Sequence, residues 1–110
     1  MITVSIKDEY AEILSNFGNL ESAIDLALKR YTIEQITTKI AGLKQKNLNY
    51  QNKYKTDYFT FCQKIQQDET FINYIETKVE KLWEIDLSDW EFSYQGIIDW
   101  TVKLQTILLV

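Results

Sequence analysis

The sequence predicts a mainly α fold: a short N-terminal β-strand that pairs across a dimer, then a long helix and a helical C-terminal region. Three observations predict it. Ile2, Val4 and Ile6 alternate with Thr3, Ser5 and Lys7, the period of a strand with one buried face. From Asp8 onward the apolar residues recur at spacings of three and four, the period of a helix. No proline interrupts these stretches, and there are only three glycines in 110 residues.

After the strand, Tyr10, Ile13, Leu14 and Phe17 mark a first helix of about ten residues, which Gly18 and Asn19 bring to a stop. Asn19 is placed to cap a second helix, whose apolar face is Leu20, Ala23, Ile24, Ala27, Leu28 and Tyr31. That helix is expected to run on through Ile33, Ile36, Ile40 and Leu43, past Gly42, and so to exceed roughly thirty residues. Ile33, Ile36, Ile40, Leu43, Asn47, Tyr50 and Tyr54 alternate spacings of three and four, the seam of a coiled coil or helical hairpin. Asn47 falls on that seam, where it either sets register between paired helices or marks a helix end in the polar run Lys44 to Lys55.

Thr56 or Asp57 then caps a short helix carrying Tyr58, Phe61, Cys62 and Ile65. Asp68 caps another, carrying Phe71, Ile72, Ile75, Val79 and Leu82. Ser88 to Glu91 reads as a capping box and places the last helix from about Asp89 through Leu109, with Trp90, Tyr94, Ile97, Leu104 and Leu108 inward. A strand over Trp90, Phe92 and Tyr94 is the competing reading. No Pro, Gly or Ser linker divides the chain. Residues 1–36 are therefore taken as a dimerisation region continuous with a helical partner-binding region, 37–110.

Composition limits the chemistry. A chain that is 45% apolar and 14% aromatic can bury a core and is not intrinsically disordered. It has no histidine, the usual general base and metal ligand, and its single Cys62 can form neither an internal disulfide nor a cysteine-based zinc site. Gly18, Gly42 and Gly96 stand too far apart for a phosphate-cradling loop. Glu84, Asp86, Asp89 and Glu91 cluster, but beside an expected helix start, where carboxylates meet free N–H groups. No enzyme activity, catalytic residue, metal or cofactor is therefore expected. The lack of a signal-like N-terminus or a long apolar run points to a cytoplasmic protein without a membrane span.

A lone strand leaves its backbone groups unpaired, and no second strand is evident in the sequence. The same strand from a second copy would solve this, giving a homodimer in which Ile2, Val4 and Ile6 face the helices and Ile24 and Leu28 add to the contact. Charge is also divided: residues 1–55 hold eight Lys or Arg and six Asp or Glu, residues 56–110 four and ten. Such a division fits two different partners.

Ile2-Thr3-Val4-Ser5-Ile6-Lys7, followed by a helix, then Gly18-Asn19-Leu20-Glu21-Ser22-Ala23-Ile24, resembles the ribbon-helix-helix family of dimeric repressors and antitoxins. The tail segments Thr32-Ile33-Glu34-Gln35-Ile36, Asp57-Tyr58 with Phe61, Asp89-Trp90-Glu91-Phe92, Gly96-Ile97 and Trp100-Thr101 look similar to small cyanobacterial antitoxin-like proteins. The resemblance implies an antitoxin of a type II toxin–antitoxin pair. Thr3, Ser5 and Lys7 would read operator DNA as a β-ribbon, with Asn19 at a helix N-terminus meeting phosphate. Asp8, Glu9 and Glu21 put negative charge near those phosphates, contrary to what DNA binding favours. The acidic half would bind the cognate toxin through Trp83, Asp86, Asp89, Trp90, Glu91 and Trp100. The alternative is a helical dimeric scaffold or adaptor that binds no DNA.

Overall fold

The computed structural model describes all 110 residues. The chain is helical from Asp8 almost to its end. Helix α1 (Asp8–Leu14) runs into a 3-10 turn (Ser15–Phe17), and α2 covers Leu20–Tyr54. Then come α3 (Tyr58–Gln67), α4 (Glu69–Tyr74) with a π-helical turn (Ile75–Val79), and α5 (Trp83–Leu108). At 35 residues, α2 is about 52 Å long at 1.5 Å per residue. The molecule extends 66 × 23 × 21 Å, with a radius of gyration of 21.6 Å, against about 13 Å for a compact chain of this length.

The N-terminal strand does not form. Residues 1–7 belong to no regular element and are exposed, with Ile2, Val4 and Ile6 at 90%, 75% and 41% exposure. Alternation makes one face apolar, but a strand also needs a neighbour for its N–H and C=O groups. The chain contains no sheet to supply one. The expected β-ribbon is thus replaced by an open N-terminal segment leading into α1.

Side chains placed by the sequence do cap the helices. Asn19 Oδ1 accepts from the Ser22 N–H (3.2 Å), Asp57 Oδ1 from Thr60 (2.7 Å), and Asp68 Oδ1 from Thr70 and Phe71 (3.0 and 3.2 Å). Gly18, at φ 129°, occupies the backbone region that favours glycine and turns the chain between the 3-10 turn and α2. At the other end of α2 the same duty falls to Lys55, at φ 59°.

Helices α2 and α5 form the body, a long antiparallel hairpin. Its register is fixed at four levels: Lys29 Nζ donates to the Val110 carbonyl (3.0 Å), Leu43 meets Gly96, Asn47 meets Trp90, and Tyr54 meets Asp86. Every residue of the seam expected in α2 is buried or half-buried. Where α5 approaches at Gly96, a Cβ on that residue would lie 2.9 Å from Leu43 Cδ1.

The core lies at one end, where α3, α4 and the π turn close over the hairpin. Tyr54, Phe61, Ile75, Trp83 and Trp90 form it, and Tyr50, Tyr58, Phe71 and Leu87 pack on its edge. Tyr50 and Tyr54 stack on the Trp90 ring at centroid distances of 5.7 and 5.8 Å, and Phe61 approaches it at 5.4 Å. Each such pair contributes about 0.5–1.5 kcal/mol beyond its buried area.

The last helix begins earlier than expected. It starts at Trp83, so Ser88 and Glu91 lie inside it and cap nothing, and the strand alternative over Trp90, Phe92 and Tyr94 falls away. Ser88 and Glu91 carry the spacing of a capping box, but the packing of Trp83 in the core extends the helix upstream of them.

Candidate partner-binding surfaces

The six residues expected to bind a partner are divided by the fold. Trp83 and Trp90 are 8% and 0% exposed. The Trp90 indole N–H donates to Asn47 Oδ1 (2.7 Å), and that of Trp83 to Glu76 Oε1 (3.0 Å). These two side chains are core and cannot anchor a partner in this conformation. Asn47 therefore acts as the register residue of an intramolecular pair rather than as a helix end.

Asp86 and Asp89 are engaged across the hairpin. Asp89 accepts from Lys46 Nζ (2.8 Å) and from the Tyr50 hydroxyl (2.6 Å). Asp86 Oδ2 accepts from Lys53 Nζ and from the Tyr54 hydroxyl, both at 2.6 Å, and Lys53 also reaches Glu80 (2.8 Å). These contacts move the ionisations in the directions the charges require. The Lys46 ammonium, helped by Tyr50, holds the Asp89 carboxyl below the ordinary carboxylate range. Lys53 does the same for Glu80, and the Asp86 and Glu80 carboxylates raise Lys53. Burial first, then hydrogen bonds to Asp89 and Asp86, push the Tyr50 and Tyr54 hydroxyls well up. Two α2 ammonium groups, Lys46 and Lys53, thus meet three carboxylates of the acidic half, Glu80, Asp86 and Asp89, inside the molecule.

Glu91 and Trp100 remain available. Glu91 is exposed and in no ion pair. Trp100 is half-buried on the α5 side of the hairpin, with Lys103 Nζ 4.5 Å from its ring centroid.

Of the residues expected to read DNA, Thr3, Ser5 and Lys7 form no ribbon face, since residues 1–7 make no strand. The Asn19 side chain is engaged in capping its own helix. The expected dimer residues lie on an uncovered end. Ile2, Val4, Ile6 and Leu28 are exposed and Ile24 is half-buried. They are joined by Tyr10, Ile13, Phe17, Leu26 and Tyr31, each at least 52% exposed.

Two side chains on α5 that were not among the expected partner-binding residues, Ile85 and Phe92, are both 66% exposed. They stand seven residues apart and out of phase with buried Trp83 and Trp90. That stripe is legible only once the helix is known to begin before Asp89. No group of His, Cys, Asp and Glu is arranged to hold a metal ion. No helix is long and apolar enough to cross a membrane. The chain matches no protein-family profile, no curated protein and no solved structure.

Proposed function

We propose that this chain is a homodimeric binding protein, the antitoxin of a type II toxin–antitoxin pair, which neutralises its toxin by direct contact. One observation carries the dimeric binding role: the N-terminal end has an apolar surface with nothing on it. No residue before Ile36 is buried, yet Met1, Ile2, Val4, Ile6, Tyr10, Ile13, Phe17, Leu26, Leu28 and Tyr31 are all exposed. Monomeric soluble proteins rarely leave so many large apolar side chains together in water. A second copy about a two-fold axis covers such an end with itself, through helix faces rather than a strand. Both charge signs are present there, with Asp8, Glu9 and Glu12 on α1 and Lys29 and Arg30 on α2, which suits a self-complementary contact.

The toxin-neutralising role rests on the sequence resemblance and on the acidic, partly apolar outer side of α5, which suits a basic protein surface. No strand is present to enter a major groove, so the function proposed is neutralisation by contact rather than operator recognition. That same correction favours a second reading, a helical dimeric scaffold or adaptor with no DNA role.

Sedimentation at micromolar concentration should give twice the 13.1 kDa of the chain. Leu28→Glu combined with Tyr31→Glu should give a monomer of unchanged helicity, because both side chains are exposed in the single chain. A monomeric wild type would overturn the dimer. Expressing the product of the adjacent open reading frame alone should arrest growth, and co-expression with this chain should restore it and yield a complex. No arrest, or no rescue, removes the antitoxin role and leaves the adaptor.

A further inference from the structure

One flank of the α2/α5 hairpin carries a continuous groove. Adjacent hollows share their walls: Phe92 joins the first, at Ile85, to those around Leu43, Trp100 and Lys103 join these to the next, and Thr32 and Ile107 lead to the last, beside Leu28. No lining residue comes from α3 or α4, so this flank lacks the helical cover the other end of the hairpin has. Leu28 and Tyr31, at the far end, belong to the dimer surface proposed above; from Ile85 to Lys103 the groove is about 27 Å long at 1.5 Å per residue. Leu43 and Ile36 lie along its floor, and Phe92 stands exposed at its edge.

Its rims differ in charge. On the α5 side stand Glu84, Glu91 and Asp99, none of them in an ion pair, with Lys103 the one cation, held over the Trp100 ring. On the α2 side stand Lys39 and Lys46, the latter already tied to Asp89. Gly42 leaves a gap in the α2 wall, with no atom within 4 Å of where its Cβ would sit.

We propose that this groove receives an amphipathic helix of a partner protein, about eighteen residues long, with its apolar stripe against Leu43, Phe92 and Trp100 and a Lys- or Arg-bearing flank toward Glu84 and Glu91 on α5. The length comes from the groove and the orientation of charge from its rims. A second copy of this chain does not supply the occupant. Its short α1 has only seven residues and carries Asp8, Glu9 and Glu12, which the acidic rim repels, and the seams of α2 and α5 already face each other. The identification of the partner as a toxin rests on the function proposed above; the groove and the chemistry of its occupant do not.

The test uses the full-length protein and a labelled designed peptide of about eighteen residues. Leucines at i, i+3, i+4 and i+7 form its stripe, with Lys on one flank and Glu on the other, and a second peptide has every Lys replaced by Glu. Fluorescence anisotropy should show the Lys-flanked peptide bound by wild type and at least tenfold more weakly by Phe92→Glu and by Gly42→Trp. Gly42→Trp projects into open space and replaces a poor helix former, so it folds as wild type and plugs the groove. Phe59→Glu, at a position on α3 that is 65% exposed and away from the groove, should bind as wild type does. The all-Glu peptide should bind at least tenfold more weakly than its Lys-flanked counterpart. The proposal is overturned if wild type binds neither peptide, if Gly42→Trp binds undiminished, or if Phe59→Glu loses as much as Phe92→Glu. Failure of the adjacent gene product to bind, with the peptide results standing, refutes the antitoxin role alone.

Discussion

Among single residues, Asn47 has the largest structural consequence for its size. It is a polar residue on an apolar seam, and its side-chain Oδ1 is the acceptor for the indole N–H of Trp90, the largest fully buried side chain in the molecule. Truncation to Ala leaves that N–H enclosed among Tyr50, Tyr54, Tyr58 and Phe61 with no partner. An unpaired buried donor costs about 1–3 kcal/mol, more than the hydrogen bond itself contributes. Asn47→Ala is therefore expected to lower the unfolding free energy measured in urea by that amount. In the Trp90→Phe background, where no N–H needs a partner, the same change should cost less than about half as much. Equal costs in the two backgrounds would mean that Asn47 acts by packing alone.

At the level of whole helices, two glycines inside long helices separate propensity from packing. Gly42 has open space where its Cβ would be, whereas Gly96 has Leu43 Cδ1 at 2.9 Å from that point. Gly42→Ala should stabilise by about 1 kcal/mol, the difference in helix propensity. Gly96→Ala gains the same propensity but must displace the end of a buried leucine, so it should fall short of Gly42→Ala by about 1 kcal/mol or more in chemical denaturation. The helices themselves were largely legible in the sequence, because spacing and caps are local: the α2 seam, the caps at Asn19, Asp57 and Asp68, and the break at Gly18 follow from residues within a turn of each other. The errors came where a local pattern depended on something distant. Ile2, Val4 and Ile6 alternate correctly for a strand, but a strand exists only with a neighbour. Ser88 and Glu91 have capping-box spacing, but the packing of Trp83 starts the helix upstream. For Trp83, Trp90, Asp86 and Asp89, expected at a partner surface, the sequence does not show that the two indoles are core or that α2 passes alongside to engage the two carboxylates.

Over the whole molecule, the buried core and the uncovered N-terminal apolar surface occupy opposite ends. Only nine residues are buried, all between Ile36 and Ser93, and apart from Lys29 to the Val110 carbonyl the polar contacts that fasten α2 to α5 gather at the core end, leaving the N-terminal end apolar and uncovered. Titration of those fastenings should set the pH range of the fold. Asp89 and Glu80 have folded-state pKa values below their unfolded ones, near 3.9 and 4.3. Their contribution is complete above about pH 5 and is lost as the pH falls through the folded values. Tyr50, Tyr54 and Lys53 have folded values above their unfolded ones, near 10 and 10.4. Their contribution is complete below about pH 9 and is lost as the pH rises through the folded values. Stability should therefore be flat between these limits and fall on both sides. Asp89→Asn should flatten the acid limb while lowering the plateau by no more than about 1 kcal/mol, since the Lys46 pair is largely open to solvent. Tyr50→Phe with Tyr54→Phe should reduce the alkaline limb to the part that Lys53 carries and, because the Tyr50 hydroxyl also holds Asp89 down, make the acid limb shallower. Melting temperatures across the pH range measure both limbs, and an alkaline limb unchanged in the double Phe variant would show that the two hydroxyls do not fasten the hairpin.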